Sequence, residues 1–303
     1  MSTLANMNLM TLMEDFDTDA ECRAELEELR WPDGVECPRC KSKSISTKKE
    51  RQQYDCNSCR YQFSATSGTM FHDSHLPLPK WFAATYLMCE SRKGISANQL
   101  KRTLNVSYKT AWYLCHRIRK AMAQANPKQL NGTVEVDETY IGGRYDKRRK
   151  RGPWEKQAVV GLIARDGKFE AQTVPTVSKQ ILIRLIQQRI SQKATVYTDE
   201  NPSYTSLKKT HKHDTVNHGA EQWVHGKVHT NTIEGVWSLF NRSIIGSYHK
   251  LSTKHLDAYL NEFEWRYNNR ANPFLFRDTL KRLVSARQIP FDTLVAKDTA
   301  TAA

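Results

Sequence analysis

Thr133-Val-Glu-Val-Asp-Glu-Thr-Tyr-Ile-Gly-Gly143 is the stretch on which the reading of this 303-residue chain turns. Its β-branched and aromatic residues predict a strand over 133–141, with Asp137 inside it. A second run, Ala194-Thr-Val-Tyr-Thr-Asp-Glu200, predicts a strand over 194–198 that Asp199 closes. A third, His229-Thr-Asn-Thr-Ile-Glu-Gly-Val-Trp237, opens a helix around Glu234, because Ile233, Val236, Phe240 and Ile244 recur at helical spacing. Two strand carboxylates and one helix carboxylate converge only through the fold. Once together they repel unless cations sit between them, and oxygen donors suit Mg²⁺ or Mn²⁺. Two such ions roughly 3.5–4 Å apart stabilise the attacking and leaving oxygens of in-line phosphoryl transfer. An acidic residue on a strand is usually just solvated; the order strand, strand, helix in a strongly basic chain favours the catalytic reading. Asn231 shares a helical face with Glu234 and Asn241, as either a fourth contact to metal or substrate or an ordinary helix-start residue.

Outward from this stretch the chain reads as α/β. Further strands are expected at 157–164 and 168–176, and a helix at about 178–191. Between the first two strands lies Lys147-Arg-Arg-Lys-Arg151, a hairpin tip flanked by Gly142-Gly143 and Gly152-Pro153. Five consecutive cations suit a localisation signal, a solvated loop or, as preferred here, contact with a DNA backbone. Residues 201–230 look irregular and carry His211, His213, His218, His225 and His229, at spacings that fit no compact metal motif. Helices over 254–269 and 276–287 present Leu256, Leu260, Phe263, Leu280 and Leu283 to a core, and a disordered tail is expected from 296.

Toward the N-terminus, residues 1–10 look frayed, and Thr18 and Glu21 have capping-box spacing ahead of a short helix. Cys37-Pro-Arg-Cys40 and Cys56-Asn-Ser-Cys59 stand fifteen residues apart. Two thiolate pairs on two tight turns close a tetrahedral Zn²⁺ site with no open position, so Cys37, Cys40, Cys56 and Cys59 predict a structural metal. Helical rhythm resumes after Pro77 and Pro79. A short helix capped by Ser96, with Gln99 completing a capping box, leads through Asn105-Val-Ser107 into a longer helix, a helix-turn-helix pattern. Tyr108 and Lys109 would face a DNA groove at the start of the second helix, with Arg117, Arg119 and Lys120 nearer the phosphates.

Net charge is +14 at pI near 9.4. Residues 1–36 hold ten acids against two bases, so the other 267 residues carry +22. That excess exceeds what solubility needs and points to a nucleic acid as partner. No apolar run approaches a membrane span, and the acidic start lacks the basic region of a secretory signal. Seven cysteines, four in a metal pattern, fit a reducing compartment, hence a cytoplasmic, nucleoid-associated protein.

Four segments together resemble a known family: Arg30-Trp-Pro-Asp-Gly34 leading into the first cysteine pair, Val136-Asp-Glu-Thr-Tyr-Ile-Gly-Gly143, Tyr197-Thr-Asp199, and His229-Thr-Asn-Thr-Ile-Glu-Gly235. From about Phe16 to Arg270 the chain resembles the bacterial insertion-sequence DDE transposases of the group related to Merlin elements. The resemblance implies a multidomain α/β protein with a zinc ribbon, a helix-turn-helix and an RNase H-like mixed α/β core. It implies metal-dependent cleavage and strand transfer of transposon ends into target DNA, with Asp137, Asp199 and Glu234 as Mg²⁺ (or Mn²⁺) ligands. The family carries a polar residue at Asn231. Some members carry a basic residue about seven positions after the glutamate, where this chain has Asn241 followed by Arg242. The expected organisation is a helical segment (1–34), the ribbon (35–76), the helix-turn-helix domain (77–126), the catalytic domain (127–270) and a C-terminal helix and tail (271–303). A homo-oligomer, at least a dimer on DNA, is expected because two ends must be held together. The alternative is a non-catalytic DNA-binding regulator that uses only the ribbon and helix-turn-helix.

Overall fold

Local signals start and stop the N-terminal elements. The computed structural model describes residues 5–124, 127–142, 156–216 and 228–296. Asn8 accepts from the amides of Met10 and Thr11 and so begins α1 (Leu9–Asp15), in a stretch that the sequence suggests is frayed. The Thr18–Glu21 capping box starts α2 (Asp19–Arg30). Three short strands, β1 (Ile45–Lys48), β2 (Gln53–Cys56) and β3 (Gln62–Phe63), pair antiparallel as the ribbon. Trp31, Tyr54, Tyr61 and Phe63 pack ring against ring beside it. Arg30 ties α2 to the segment after β3 by donating to the carbonyls of Ser64, Ala65 and Ser67.

Next come α3 (Leu78–Glu90), α4 (Ala97–Leu104) and α5 (Tyr108–Met122). Asn105 takes a left-handed conformation at φ 49° to end α4, and Ser107 Oγ accepts from the Thr110 amide to begin α5. The expected capping box at α4 is half-formed. Ser96 caps the Gln99 amide, but the Gln99 side chain bonds Thr103 and Arg102 farther along the helix.

The second compact unit spans Ala123–Asn268. Its sheet contains β4 (Thr133–Ile141), β5 (Gln157–Ala164), β6 (Phe169–Val174), β7 (Thr195–Thr198) and β8 (Lys212–Thr215), in the order β6-β5-β4-β7-β8. β4, β5 and β6 run antiparallel; β7 and β8 lie parallel to β4. β8 falls in a segment that the sequence leaves irregular, because its only buried residue is a histidine, His213, and alternation of apolar residues is absent. Helix α6 (Lys179–Arg189) crosses between β6 and β7. Beyond β8 lie α7 (Asn231–Ser243), which passes into a π-turn over Ile244–Tyr248, and α8 (Leu256–Asn268).

Strict alternation along the strands gives the sheet two apolar faces. Val134, Val136, Val160 and Leu162 face α6, with Leu182 and Ile186, while Val159, Ile163 and Phe169 face α7 and α8. The outer edge of β6 is covered by side chains of α8. The amides of Phe169, Ala171 and Thr173 donate to Asn268, Glu264 and Asp257, so three successive outward donors of an edge strand are satisfied by a helix. α9 (Leu275–Ser285) and α10 (Phe291–Val295) belong to the first compact unit, together with the residues up to Met122. Thr279 on α9 bonds Cys89 on α3 at 3.2 Å, and Arg282 donates to the Met122 carbonyl.

Glycine is required at one point of close approach. A methyl group on Gly161 of β5 would overlap the Trp237 ring of α7 and stand 3.2 Å from Ile233 Cδ1. Gly161 is also the cross-strand partner of Asp137. Gly161→Ala is expected to cost about 1–3 kcal/mol from overpacking and to push α7 off the sheet, read as a lower thermal midpoint in calorimetry.

Candidate active site

Register brings the first two carboxylates together. Glu135 of β4 pairs with Tyr197 of parallel β7; Asp137 stands two residues farther along, in the middle of β4, and Asp199 directly follows the last residue of β7. Both lie just beyond the last parallel pair of the two strands, and Asp199 at the carboxyl end of β7, where open α/β sheets collect ligands. α7 lies on the same sheet face as Asp137 and presents Glu234 in its first turn. Glu234 is exposed, and its Oε1 accepts from Thr230 Oγ1 at 3.0 Å.

Asp137 senses all of them. Its carboxyl pKa is pushed up from an ordinary 3.8 to about 7, first by burial and then by the charges of Glu138, Asp199 and Glu234. The site thus concentrates negative charge on oxygen donors, as a divalent cation site does before its ion binds. Among the described residues the four cysteines alone place three or more His, Cys, Asp or Glu ligand atoms within 4.8 Å of one another, so the three carboxylates do not form so tight a group.

The sign of the resulting pH dependence follows from linkage. The unfolded carboxyl ionises near 3.8 and the folded one near 7, so the fold loses stability as pH rises between those values, by up to about 4 kcal/mol. Asp137→Asn is therefore expected to raise the thermal midpoint of metal-free protein more at pH 7.5 than at pH 5. Calorimetry at the two pH values tests this.

Two further carboxylates on β4 enter the site, and the sequence reading passed over both. Glu138 accepts from Asn201 Nδ2 at 2.6 Å and from the Tyr204 hydroxyl, while the Asn201 amide donates to Asp199 Oδ1 at 3.1 Å. Burial and then the Asp199 charge push the Glu138 carboxyl up, against the pull of those donors. Glu135 is wholly buried and meets the amino end of α7. The signal for both was in the alternating Val134-Glu135-Val136-Asp137-Glu138 pattern, where charges recur in a strand that is otherwise core.

Asn231 is the first residue of α7 and is exposed, as is Asn241 on the same helix. Arg242 donates to Ser238 Oγ. His211 and His213 are buried, and His213 Nε2 lies 3.0 Å from Thr198 Oγ1; burial drives its imidazole down to about 4, so it is neutral at pH 7. His218, His225 and the basic run Lys147, Arg148, Arg149, Lys150 and Arg151 lie outside the described residues.

In the first unit the four cysteine sulfurs close on one point. Cys37 and Cys59 Sγ are 3.6 Å apart, and Cys40 and Cys56 Sγ 3.4 Å. A tetrahedron with Zn–S arms of roughly 2.3 Å has edges of roughly 3.8 Å, so the donor set fits Zn²⁺. The backbone N–H of Cys59 leads the groups that draw the Cys56 thiol down to about 6, favouring thiolate. On the helix pair, Tyr108, Lys109 and Lys120 are exposed. Arg117 and Arg119, which the sequence puts near phosphates, are instead buried at 2% and 1% exposure. Arg117 stacks on Trp81 and Tyr113 and donates to the His72 carbonyl. The packing of α5 explains the correction: from Leu114 to Met122 every residue but Lys120 is buried, so the helix is enclosed almost all round and both guanidiniums, on opposite sides of it, are covered.

Two family models and two known proteins match this chain. Residues 17–62 match the model of a transposase zinc-ribbon domain, and residues 129–268 that of an ISXO2-like transposase domain. An uncharacterised protein in the transposable element ISH50 of Halobacterium salinarum is 31% identical over 278 residues, which cover 85% of this chain and 93% of that protein. An uncharacterised transposase-like protein of Haemophilus influenzae is 29% identical over 105 residues, 34% of this chain and 82% of that one. The length of the first match and the two domain matches show that the chain belongs to the insertion-sequence transposases of the ISXO2-like type, with an N-terminal zinc ribbon.

Proposed function

We propose that this transposase cuts DNA at the ends of its element and joins the freed 3′-OH to target DNA, with Asp137, Asp199 and Glu234 as the acidic triad. The observation that carries the reading is the register of β4 and β7, which puts Asp137 and Asp199 just beyond their last parallel pair, with α7 and Glu234 over the same sheet face as Asp137. The order of the sheet, three antiparallel strands followed by two parallel ones on the other side of β4, supports an RNase H-like core. Mg²⁺ or Mn²⁺ held by the triad would supply charge neutralisation and activation of the attacking oxygen.

The chain's own residues do the rest. Asp137 and Asp199 hold the reacting phosphodiester's counter-charge at the strand ends, and Glu234 approaches from α7. Asn231, one helical turn before Glu234, is placed to contact metal or substrate. No protein nucleophile is required, since water and then a DNA hydroxyl attack phosphorus. DNA is read by α4 and α5, a helix-turn-helix, through Tyr108 and Lys109 at the exposed start of α5, with Lys120 on a phosphate. Lys147 to Arg151 add backbone contacts. The partner is double-stranded DNA, bound by at least a dimer. No helix among the described residues is long and apolar enough to cross a membrane.

The test uses duplexes carrying the element's own flanking ends, with Mg²⁺ present. Metal-dependent nicks and joined products support the transposase reading. Nicks without joining leave a nuclease, and binding without either leaves a DNA-binding regulator.

A further inference from the structure

We infer that Glu135 is a positioning residue that fixes α7, and with it Glu234, against the strand that carries Asp137. The inference rests on the reading of Asp137 and Glu234 as members of one acidic site.

The Glu135 side chain is fully buried, and its charge is held by the start of α7, by His229 just before it and by Arg165, which follows β5. Oε2 accepts from the amides of Thr232 at 2.9 Å and Ile233 at 3.1 Å. Oε1 accepts from Thr232 Oγ1 at 2.8 Å and Arg165 Nε at 3.0 Å, and His229 Nδ1 lies 3.3 Å from it. Arg165 stacks on Tyr197, the β7 residue that pairs with Glu135, and also donates to the His229 carbonyl.

The helix start makes the purpose of this arrangement legible. The second and third amides of a helix are normally satisfied by the side chain of its own N-cap residue. Here the N-cap is Thr230, which has an oxygen able to do so, yet its hydroxyl donates to Glu234 Oε1 instead. A carboxylate about a hundred residues earlier in the chain takes over the cap. A local cap leaves a helix free to slide and rotate on its sheet; a cap from β4 fixes both. Glu135 and Asp137 point to the same face two residues apart, roughly 7 Å along the strand. Glu234 follows Ile233 directly. The distance between Asp137 and Glu234 is therefore spanned by one strand repeat, one pair of charge-assisted bonds and one helical step.

Stability alone does not account for a buried carboxylate, because replacing a buried ion pair by apolar residues is often neutral or better. Direction is what the carboxylate adds. Outer partners that orient metal ligands typically cost 10–100-fold in metal affinity or activity when altered, and Mg²⁺ tolerates misplacement less than most ions because it demands near-octahedral geometry.

Two conservative variants of the full chain separate reach from charge. Glu135→Gln keeps an oxygen at the reach of the α7 amides and loses the charge. Glu135→Asp keeps the charge and falls one methylene short. Three readouts are taken: amide hydrogen exchange at Thr232 and Ile233, Mn²⁺ binding by electron paramagnetic resonance without DNA, and the ratio of Mn²⁺- to Mg²⁺-supported cleavage. Glu135→Asp is expected to speed exchange at both amides, weaken Mn²⁺ binding about tenfold or more and raise the Mn²⁺/Mg²⁺ ratio by a similar factor, with Glu135→Gln within about fivefold of wild type in each. The opposite order, Gln impaired and Asp near wild type, overturns the inference, as does wild-type behaviour of both. Asp137→Asn is measured alongside. If it keeps Mn²⁺ binding and cleavage, the acidic-site reading falls whatever Glu135 does; if it loses both while Glu135→Asp keeps them, only the positioning role falls.

Discussion

Asp199→Asn is expected to lower metal-dependent cleavage and joining on the order of 10³-fold or more, with binding to the element's ends within about threefold of wild type. The substitution preserves shape and removes one charge. Its neighbours define what is lost. The Asn201 amide donates to Asp199 Oδ1, a bond that an amide oxygen still accepts, so the loop stays in place. What goes is one of the charges that push the Asp137 carboxyl pKa up, and with it part of the attraction for a divalent cation. Tyr108 and Lys109, the residues proposed to read DNA, lie in the other compact unit and should be unaffected. Cleavage and strand-transfer products on labelled duplexes, beside an equilibrium binding curve at the same salt, measure both quantities. Retained joining by Asp199→Asn would sink the assignment of this carboxylate.

The second large effect is expected at the ribbon. Cys56→Ser should abolish stoichiometric Zn²⁺ and unfold the segment from about 37 to 63, while Ala123–Asn268 keeps its cooperative transition. Structural zinc contributes about 10–16 kcal/mol in small zinc modules. The ribbon has little else: strands of four, four and two residues and one aromatic cluster around Phe63. Cys56 is buried, and its sulfur is one of the four that close the metal site, which a serine hydroxyl does not replace as a thiolate. Because Arg30 anchors α2 to the carbonyls of Ser64, Ala65 and Ser67, fraying should extend to the end of α2. Metal content by atomic spectroscopy, together with proteolysis mapped by mass, follows this. Sustained protection of 37–63 without zinc would show that the aromatic cluster suffices.

Short-range chemistry made much of the fold legible. The runs at 133–141, 157–164 and 194–198 became β4, β5 and β7 because their composition suits only a strand. The Thr18 box and the Ser96 and Ser107 caps set helix starts from neighbouring atoms alone. Cysteine spacing likewise indicated a zinc site, because two tight turns have few ways to aim four thiolates.

Long-range partners were not legible. Nothing near Glu135 in the sequence announces the Thr232 and Ile233 amides that it caps, which lie about a hundred residues on. Arg117 and Arg119 read as phosphate contacts until the packing of α5 buries them. β8 pairs by register with β7 although its own residues carry no strand pattern. By itself, the sequence determined which residues are carboxylates, thiolates and apolar stripes, and where helices and strands begin, since those depend on atoms within a few residues. Only the tertiary structure decided which carboxylates share a field and which one fastens a helix, because desolvation and hydrogen-bond geometry depend on chain segments a hundred residues apart.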